Sequence, residues 1–204
     1  MFKASLLPAM ALALLASCAG APQEQSLVIK TDVPERPAGQ EDMVAFAAEP
    51  IDTVRVGIVG LGMRGPGAVE RMANIPTAKV VALCDIDSSR VAKSQAILAK
   101  NGAAPAKEFW GSDTAYIEMV KEPDIDLIYV VTDWKHHVPV SLAAMENGKH
   151  VACEVPAAHS MEDIWALINT SERTRKHMMM LENCCYDDFE LTALNMAQQG
   201  LFGE

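Results

Sequence analysis

The chain has 204 residues, of which 50% are hydrophobic and 22% charged. These fractions are typical of a folded globular protein and exclude a largely disordered chain. Asp and Glu number 27 against 17 Lys and Arg, so the formal net charge is -10. This acidic balance argues against nucleic-acid binding, which requires a surplus of cations to neutralise phosphates.

The first residues have the pattern of a bacterial export signal. Lys3 precedes an apolar stretch at 6–15 that is shorter than the ~20 apolar residues of a membrane-spanning helix. The sequence LASC at 15–18 matches a lipobox, in which the cysteine becomes the lipidated first residue. We therefore predict a signal peptide over 1–17, lipidation of Cys18, and an exported, membrane-anchored lipoprotein that faces the periplasm or the cell surface. An ordinary cleaved signal with a chance cysteine is the alternative.

Residues 18–50 contain four prolines and no helical or alternating hydrophobic period. This composition predicts a flexible tether, because little apolar surface is available for burial and the segment cannot form a core of its own. The prolines stiffen it locally.

The remaining four cysteines are even in number, which in an oxidising compartment is compatible with disulfides. Cys84 and Cys153, however, lie in apolar strand-like segments, where free cysteine behaves as a small hydrophobic residue. Adjacent Cys184 and Cys185 would point to opposite faces of a strand. We predict that all four are unbridged thiols in the core or lining a site. No cysteine or histidine spacing indicates a metal site.

From Thr53 onward, apolar strand-like segments alternate with helical patterns. This alternation predicts an α/β fold with a doubly wound parallel sheet. The predicted strands are 54–60, 79–84, 107–110, 126–131, 150–153 and 178–182, and the predicted helices are 66–75, 88–100, 113–121, 138–147, 160–175 and 189–199.

A glycine motif, GxGxxG, separates the first predicted strand from the first predicted helix, with Gly60, Gly62 and Gly65 at its glycine positions. Such a turn brings the pyrophosphate of a dinucleotide to the helix N-terminus. Asp85 ends the second strand, 20 residues after the third glycine, where a carboxylate binds the adenosine ribose and repels a 2′-phosphate. The motif therefore predicts a Rossmann domain over 51–190 with NAD as cofactor. Arg90 is near enough in sequence to leave NADP open.

Three further segments, residues 126–137, AAMENGKHV at 143–151 and EVP at 154–156, resemble the Gfo/Idh/MocA oxidoreductase family. Within that family the chain is most similar to glycoside hydrolase family 109, the NAD-dependent α-N-acetylgalactosaminidases. The pointers are WxxH at 134–137, EVP in place of EKP, and ENCCY at 182–186. The lysine of EKP is Val155 here, which argues against ordinary sugar-alcohol dehydrogenase chemistry. The segment after Asn183 also departs from the family 109 pattern YGR.

Two residues are predicted to be catalytic from their positions near strand ends. Tyr186 is the candidate acid/base or substrate-orienting residue, with a packing aromatic as an equally good interpretation. His137 would contact nicotinamide or sugar from the carboxyl end of a strand, with orientation of the backbone at a helix start as the alternative. The positions implied to contact NAD, beyond the three glycines, are Met63, Arg64, Asp85, Trp134, Lys135, His136, His137, Glu154, Val155 and Asn183.

The resemblance also implies a reaction and a C-terminal substrate domain that this chain lacks. Oxidation at C3 of the sugar would acidify the C2 proton, the aglycone would leave by elimination, and water addition and re-reduction would complete hydrolysis. Family members carry a C-terminal α/β substrate domain, and residues 191–204 match its start. We therefore expect a Rossmann domain that lacks the substrate domain, as a fragment or as a stand-alone module. Alone, it would bind NAD weakly or not at all and show no glycosidase turnover.

Three functions remain open at this stage. They are the NAD-binding domain of an exported glycosidase acting on a sugar glycoside, a sugar oxidoreductase, and a non-catalytic nucleotide-binding lipoprotein. A homo-oligomer is compatible with each. Net consumption of NAD with a free sugar would indicate the second, and turnover without net redox change the first.

Overall fold

A computed structural model of the chain describes residues 33–203. The predicted signal peptide and Cys18 lie outside the described residues. The chain divides between Glu35 and Arg36, and all of the elements below belong to the unit that begins at Arg36.

Six parallel strands form one sheet in the order β3-β2-β1-β4-β5-β6. This order confirms the predicted doubly wound α/β fold, because the chain first builds outward from β1 in one direction and then returns to build outward in the other. The strands are β1 Val54–Val59, β2 Ala78–Asp85, β3 Lys107–Trp110, β4 Leu127–Val130, β5 His150–Glu154 and β6 Met178–Leu181.

Helices cover both faces of the sheet, with α1 and α2 on one face and α3, α4 and α5 on the other. They are α1 Gly65–Ala73, α2 Ser88–Lys100, α3 Tyr116–Met119, α4 Trp134–Glu146, α5 Met161–Thr174 and α6 Asp188–Gln198. α3 is a single turn, shorter than the predicted 113–121. Among the described residues no helix has the length and apolar character that crossing a membrane requires.

α4 begins at Trp134, before its predicted start at 138. The Asp133 carboxylate accepts a hydrogen bond from the backbone N–H of His136 and so caps the helix there. Pro139 lies inside the helix and is exposed. Because proline usually interrupts a helix interior, the sequence favours a helix that starts close to Pro139. The Asp133 cap places the start of α4 four residues before the predicted one, at Trp134. The segment predicted as a loop is therefore the first turn of α4.

The hydrophobic core has two layers, one on each face of the sheet. Ile58 and Leu83 pack with α1 and α2, whereas Ile128 and Val140 belong to the layer formed with α3, α4 and α5. Gly57 of β1 packs against the end of the Met119 side chain, which would have to move for a Cβ at this position because the two carbons would lie 2.3 Å apart. The two layers hold the carboxyl ends of the strands in fixed register.

The cysteines divide between these layers and the surface. Cys84 and Cys153 are buried, and burial raises the pKa of each thiol to about 12. Cys184 and Cys185 are exposed, which differs from the predicted core or site-lining position. These four thiols are free, as predicted.

Residues 36–46, which we call the docked segment, contact the end of α5 instead of forming the free tether that the composition predicts. Arg36 donates two hydrogen bonds to the buried carboxylate of Glu172, at 3.0 and 3.2 Å. Gln40 donates to the same carboxylate at 2.7 Å, and the guanidinium of Arg175 lies over the ring of Phe46. The composition of this segment does not predict burial, because it has few apolar residues. The segment is held instead by polar contacts with Glu172 and by the contact between Arg175 and Phe46.

Candidate functional site

The order in which the chain adds strands reverses between β1 and β4, and a cleft of about 1030 Å³ opens at the carboxyl ends of these two parallel strands. In open α/β sheets this switch point is where ligands bind. The cleft combines the glycine turn, the end of β2, the start of α4 and the end of β5. Most predicted contact residues line it: Gly60, Gly62, Met63, Arg64, Asp85, Trp134, Lys135, His136, His137, Glu154 and Val155.

The glycine turn has the geometry that a dinucleotide needs. Gly60 has a positive φ of 94°, and a Cβ there would lie 2.5 Å from the carbonyl oxygen of Val131. A Cβ on Gly65 would lie 2.6 Å from the carbonyl oxygen of Gly60, so the third glycine permits close packing of α1. At Gly62 the nearest neighbour of a Cβ is the Arg90 guanidinium at 3.7 Å. Gly62 is therefore free of backbone contact, and a phosphate can approach it.

The start of α1 adds electrostatic complementarity to the turn. Arg64 occupies the N-cap position without a side-chain cap hydrogen bond, and Pro66 lies in the first turn. The first N–H groups of the helix thus keep their capacity to bind an anion. The residues of the turn fit the pyrophosphate of NAD.

Asp85 is nearly buried and binds the glycine turn directly. Its Oδ2 accepts a hydrogen bond from the backbone N–H of Leu61 at 2.7 Å, and its Oδ1 accepts one from the N–H of Asp87 at 2.9 Å. Arg90 Nη1 lies 3.4 Å from Oδ1. Each carboxylate oxygen has two lone pairs, so Oδ2, which has Leu61 as its single partner, retains capacity for a ribose hydroxyl.

Glu154, at the end of β5, connects three elements of the site. Its Oε2 lies 3.2 Å from Arg64 Nε, and Arg64 Nη2 donates to Asn183 Oδ1 at 2.9 Å. The Tyr129 hydroxyl donates to Glu154 Oε1 at 2.9 Å. Three predicted residues, Arg64, Glu154 and Asn183, are thus brought together. Tyr129 was not predicted, because a tyrosine inside a buried strand carries no sequence signal of a site.

The first turn of α4 forms the opposite wall of the cleft. The Trp134 ring is 60% exposed and lies 5.2 Å from the His159 ring. His136 Nδ1 lies 2.8 Å from Asp133 Oδ1, and this contact lowers the pKa of Asp133. The wall therefore presents aromatic rings and polar groups to a ligand, and the exposed His159 also lines the cleft.

His137 has both ring nitrogens next to backbone carbonyl oxygens. Nδ1 lies 2.7 Å from the oxygen of Pro156, and Nε2 lies 3.2 Å from that of Thr132. The ring is 1% exposed. A buried imidazole in this position joins the loops after β4 and β5, and both ring nitrogens face backbone carbonyl oxygens. This geometry favours a supporting role over the predicted catalytic one.

Tyr186, the other predicted catalytic residue, lies on the turn between β6 and α6. Its side chain is 73% exposed, and it is not among the residues that line the cleft. Ser112 and Tyr116, which follow β3, do line the cleft. The rule that sites lie at the carboxyl ends of strands could have identified both. Among residues 33–203 no cluster of His, Cys, Asp or Glu has the arrangement of a metal site.

The sheet order, the glycine turn and the acid at the end of β2 define a Rossmann-type dinucleotide-binding domain. The model of the Gfo/Idh/MocA oxidoreductase family, described as an NAD-binding Rossmann fold, matches residues 54–182. The chain belongs to this family, and NAD is the cofactor of the domain.

Curated relatives share much of the sequence. The chain is 56% identical over 193 residues to glycosyl hydrolase family 109 protein 1 of Bacteroides fragilis, covering 95% of this chain and 42% of the relative. It is 54% identical over 176 residues to a glycosyl hydrolase family 109 protein of Porphyromonas gingivalis, covering 86% and 38%. The chain therefore spans about two fifths of the length of these relatives.

Solved structures share the fold. The scyllo-inositol dehydrogenase of Lactobacillus casei with bound NAD(H) and scyllo-inositol is similar with a TM-score of 0.65 at 24% identity, covering 74% of this chain and 43% of that one. The myo-inositol 2-dehydrogenase of Lactobacillus plantarum is similar with a TM-score of 0.63 at 25% identity, with the same coverage.

Proposed function

We propose that this chain supplies the NAD-binding domain of an exported glycosidase that cleaves α-N-acetylgalactosaminides. The observation that carries the proposal is the 56% identity to a family 109 protein over nearly the whole chain. Val155 agrees with it, because this residue lines the cleft beside Glu154 with an apolar side chain where sugar-alcohol dehydrogenases of the resembled pattern have a lysine.

The proposed reaction is redox-neutral overall. Bound NAD supplies a reversible hydride acceptor, which no side chain can provide. Oxidation of the sugar at C3 acidifies the proton at C2, the aglycone leaves by elimination, water adds, and reduction at C3 restores the sugar. This route does not need the paired carboxylates of ordinary glycosidases.

The residues of this chain hold and orient the cofactor. The glycine turn and the first N–H groups of α1 bind the pyrophosphate, and Asp85 binds the adenosine ribose. Arg64, Glu154 and Trp134 define the walls on the side of β4 and β5. An acid/base role for Tyr186 requires the sugar to reach the exposed turn that follows β6.

A chimaera tests the proposal directly. Residues 54–182 of this chain would replace the aligned region of the Bacteroides fragilis relative, which supplies the remainder of the protein. We expect the chimaera to release nitrophenol from a nitrophenyl α-N-acetylgalactosaminide with no accumulation of NADH. Failure to release nitrophenol by a folded chimaera that binds NAD would contradict the proposal.

A sugar oxidoreductase is the second candidate, and the shared fold with two inositol dehydrogenases favours it. The same chimaera separates the two functions, because a dehydrogenase accumulates NADH when it is given NAD and a free sugar. A non-catalytic nucleotide-binding protein would show neither nitrophenol release nor NADH accumulation.

Export and membrane attachment through Cys18 complete the proposal, and the lipobox at 15–18 supports them. Expression of the chain in a bacterium supplied with labelled palmitate tests both. We expect label and membrane association in the native chain and neither in Cys18→Ala. Equal labelling of the two chains would contradict lipidation at this position.

A further inference from the structure

Glu154 is oriented by residues that lie outside the cleft. We propose that Tyr129, supported by Arg71, is a positioning residue that fixes Glu154 and, through it, the Arg64 guanidinium at the nicotinamide side of the cleft. The inference deepens the proposed function, since it rests on NAD binding in the cleft. Neither Tyr129 nor Arg71 lines the cleft, so each acts through Glu154.

The hydrogen bonds form one continuous series. Arg71 Nη2 donates to the Tyr129 hydroxyl oxygen at 3.3 Å, and the hydroxyl donates to Glu154 Oε1 at 2.9 Å. Arg64 Nε then contacts Oε2 of the same carboxylate at 3.2 Å. The two carboxylate oxygens are therefore held by different partners, which fixes the rotation of the group.

Burial makes the Tyr129 hydrogen bond important. The Glu154 side chain is 7% exposed and Tyr129 is 4% exposed. A buried carboxylate that loses a donor pays the full cost of desolvation and moves to find another partner. Burial also raises the pKa of Tyr129, so its hydroxyl keeps the proton that it donates.

The position of Arg64 explains why this series affects the cofactor. Arg64 precedes α1 directly, and its guanidinium contacts Glu154, the last residue of β5, and Asn183, which follows β6. Asp85 marks the adenosine half of the cleft at β2, so β4 and β5 on the other side of β1 form the nicotinamide half. Fixing Glu154 and Arg64 therefore fixes the wall of the cleft that the nicotinamide end of NAD would contact.

The test compares NAD with AMP, which reaches only the adenosine half. Both ligands are titrated into the 204-residue chain by NMR, which measures weak affinities. We expect Tyr129→Phe to weaken NAD binding about fivefold and to leave AMP binding unchanged. The control is Ser171→Ala, which removes a buried hydroxyl that donates to the Lys176 carbonyl at 2.7 Å, on α5. It should leave both affinities unchanged.

Two measurements keep the inference independent of folding and of the proposed glycosidase activity. Combined with Arg64→Met, Tyr129→Phe should cause no further loss of NAD affinity, because it acts through Arg64. In the ligand-free chain, Tyr129→Phe should speed hydrogen exchange of Arg64 Nε–H, and Ser171→Ala should not. Equal weakening of NAD and AMP, additive effects of the two substitutions, or unchanged Arg64 exchange would overturn the positioning role. None of these results bears on whether the sugar reaction is hydrolysis.

Discussion

The carboxylate of Asp85, at the end of β2, accepts a hydrogen bond of 2.7 Å from the backbone N–H of Leu61 in the glycine turn after β1. Asp85 therefore has two functions at once. It holds the turn in shape, and it presents the remaining lone pair of Oδ2 to a ribose. The motif predicts the second function, whereas the first is visible only in three dimensions.

Substitution of Asp85 should consequently affect both folding and cofactor choice. Asp85→Ala removes the acceptor of the buried Leu61 N–H, so we expect a loss of about 1–3 kcal/mol in the free energy of unfolding. NAD affinity should fall about tenfold, and the preference for NAD over NADP should narrow because the charge that repels a 2′-phosphate is gone. Urea denaturation and NMR titrations measure these effects. Asp124→Ala, an exposed carboxylate beside Arg55, is the control. An unchanged NAD/NADP ratio would contradict the assignment of Asp85 to the ribose.

Two glycines of the same turn should respond differently to alanine. Gly60→Ala places a Cβ against the Val131 carbonyl at a positive φ, so unfolding should become easier by more than about 3 kcal/mol. Gly62→Ala meets only the Arg90 guanidinium and should change stability by less than about 1 kcal/mol. It should nevertheless weaken NAD binding at least about tenfold, because the methyl group occupies the phosphate approach. If Gly62→Ala binds NAD normally, the pyrophosphate does not lie on this turn.

Substitution of His137 tests whether this residue has the structural role that its contacts indicate. His137→Phe keeps the ring volume but leaves the carbonyls of Thr132 and Pro156 without their imidazole partner. We expect the free energy of unfolding to fall by about 2 kcal/mol. His136→Phe, its neighbour in the first turn of α4, should cost less than about 1 kcal/mol, since its contact with Asp133 is largely exposed. Thermal unfolding separates these cases. Full stability in His137→Phe would contradict the supporting role.

The docked segment should detach at low pH. Hydrogen bonds from Arg36 and Gln40 lower the pKa of Glu172 below its ordinary value of about 4.3. A carboxylate whose pKa is lower in the folded state stabilises the fold above the ordinary value, and this stabilisation is lost as pH falls through the lowered pKa. Hydrogen exchange of residues 36–46 should therefore accelerate in that range.

Glu172→Gln should release the docked segment already at neutral pH. Glu146→Gln removes an exposed ion pair with Arg173 and serves as the matched control. If Glu146→Gln releases the segment equally, the docking does not depend on Glu172.

Much of the fold follows from local patterns, because the six strands and the glycine turn are recognisable from composition and spacing alone. The start of α4 was misplaced since Pro139 is a stronger local signal than the Asp133 cap. The docked segment was missed because its contacts with Glu172 join residues 136 positions apart. Within the site, residues at strand ends were predictable, whereas Tyr129 acts from inside a strand and the burial of His137 depends on tertiary packing.

The most direct test of the central claim is a titration of the isotopically labelled chain with NAD, followed by NMR. The account predicts that shifts concentrate at Gly60, at 62–64, at Asp85, at 132–137 and at 154–155, which line one cleft at the carboxyl ends of the strands. Shifts confined to other surfaces at saturating NAD would contradict the assignment of this cleft as the NAD site.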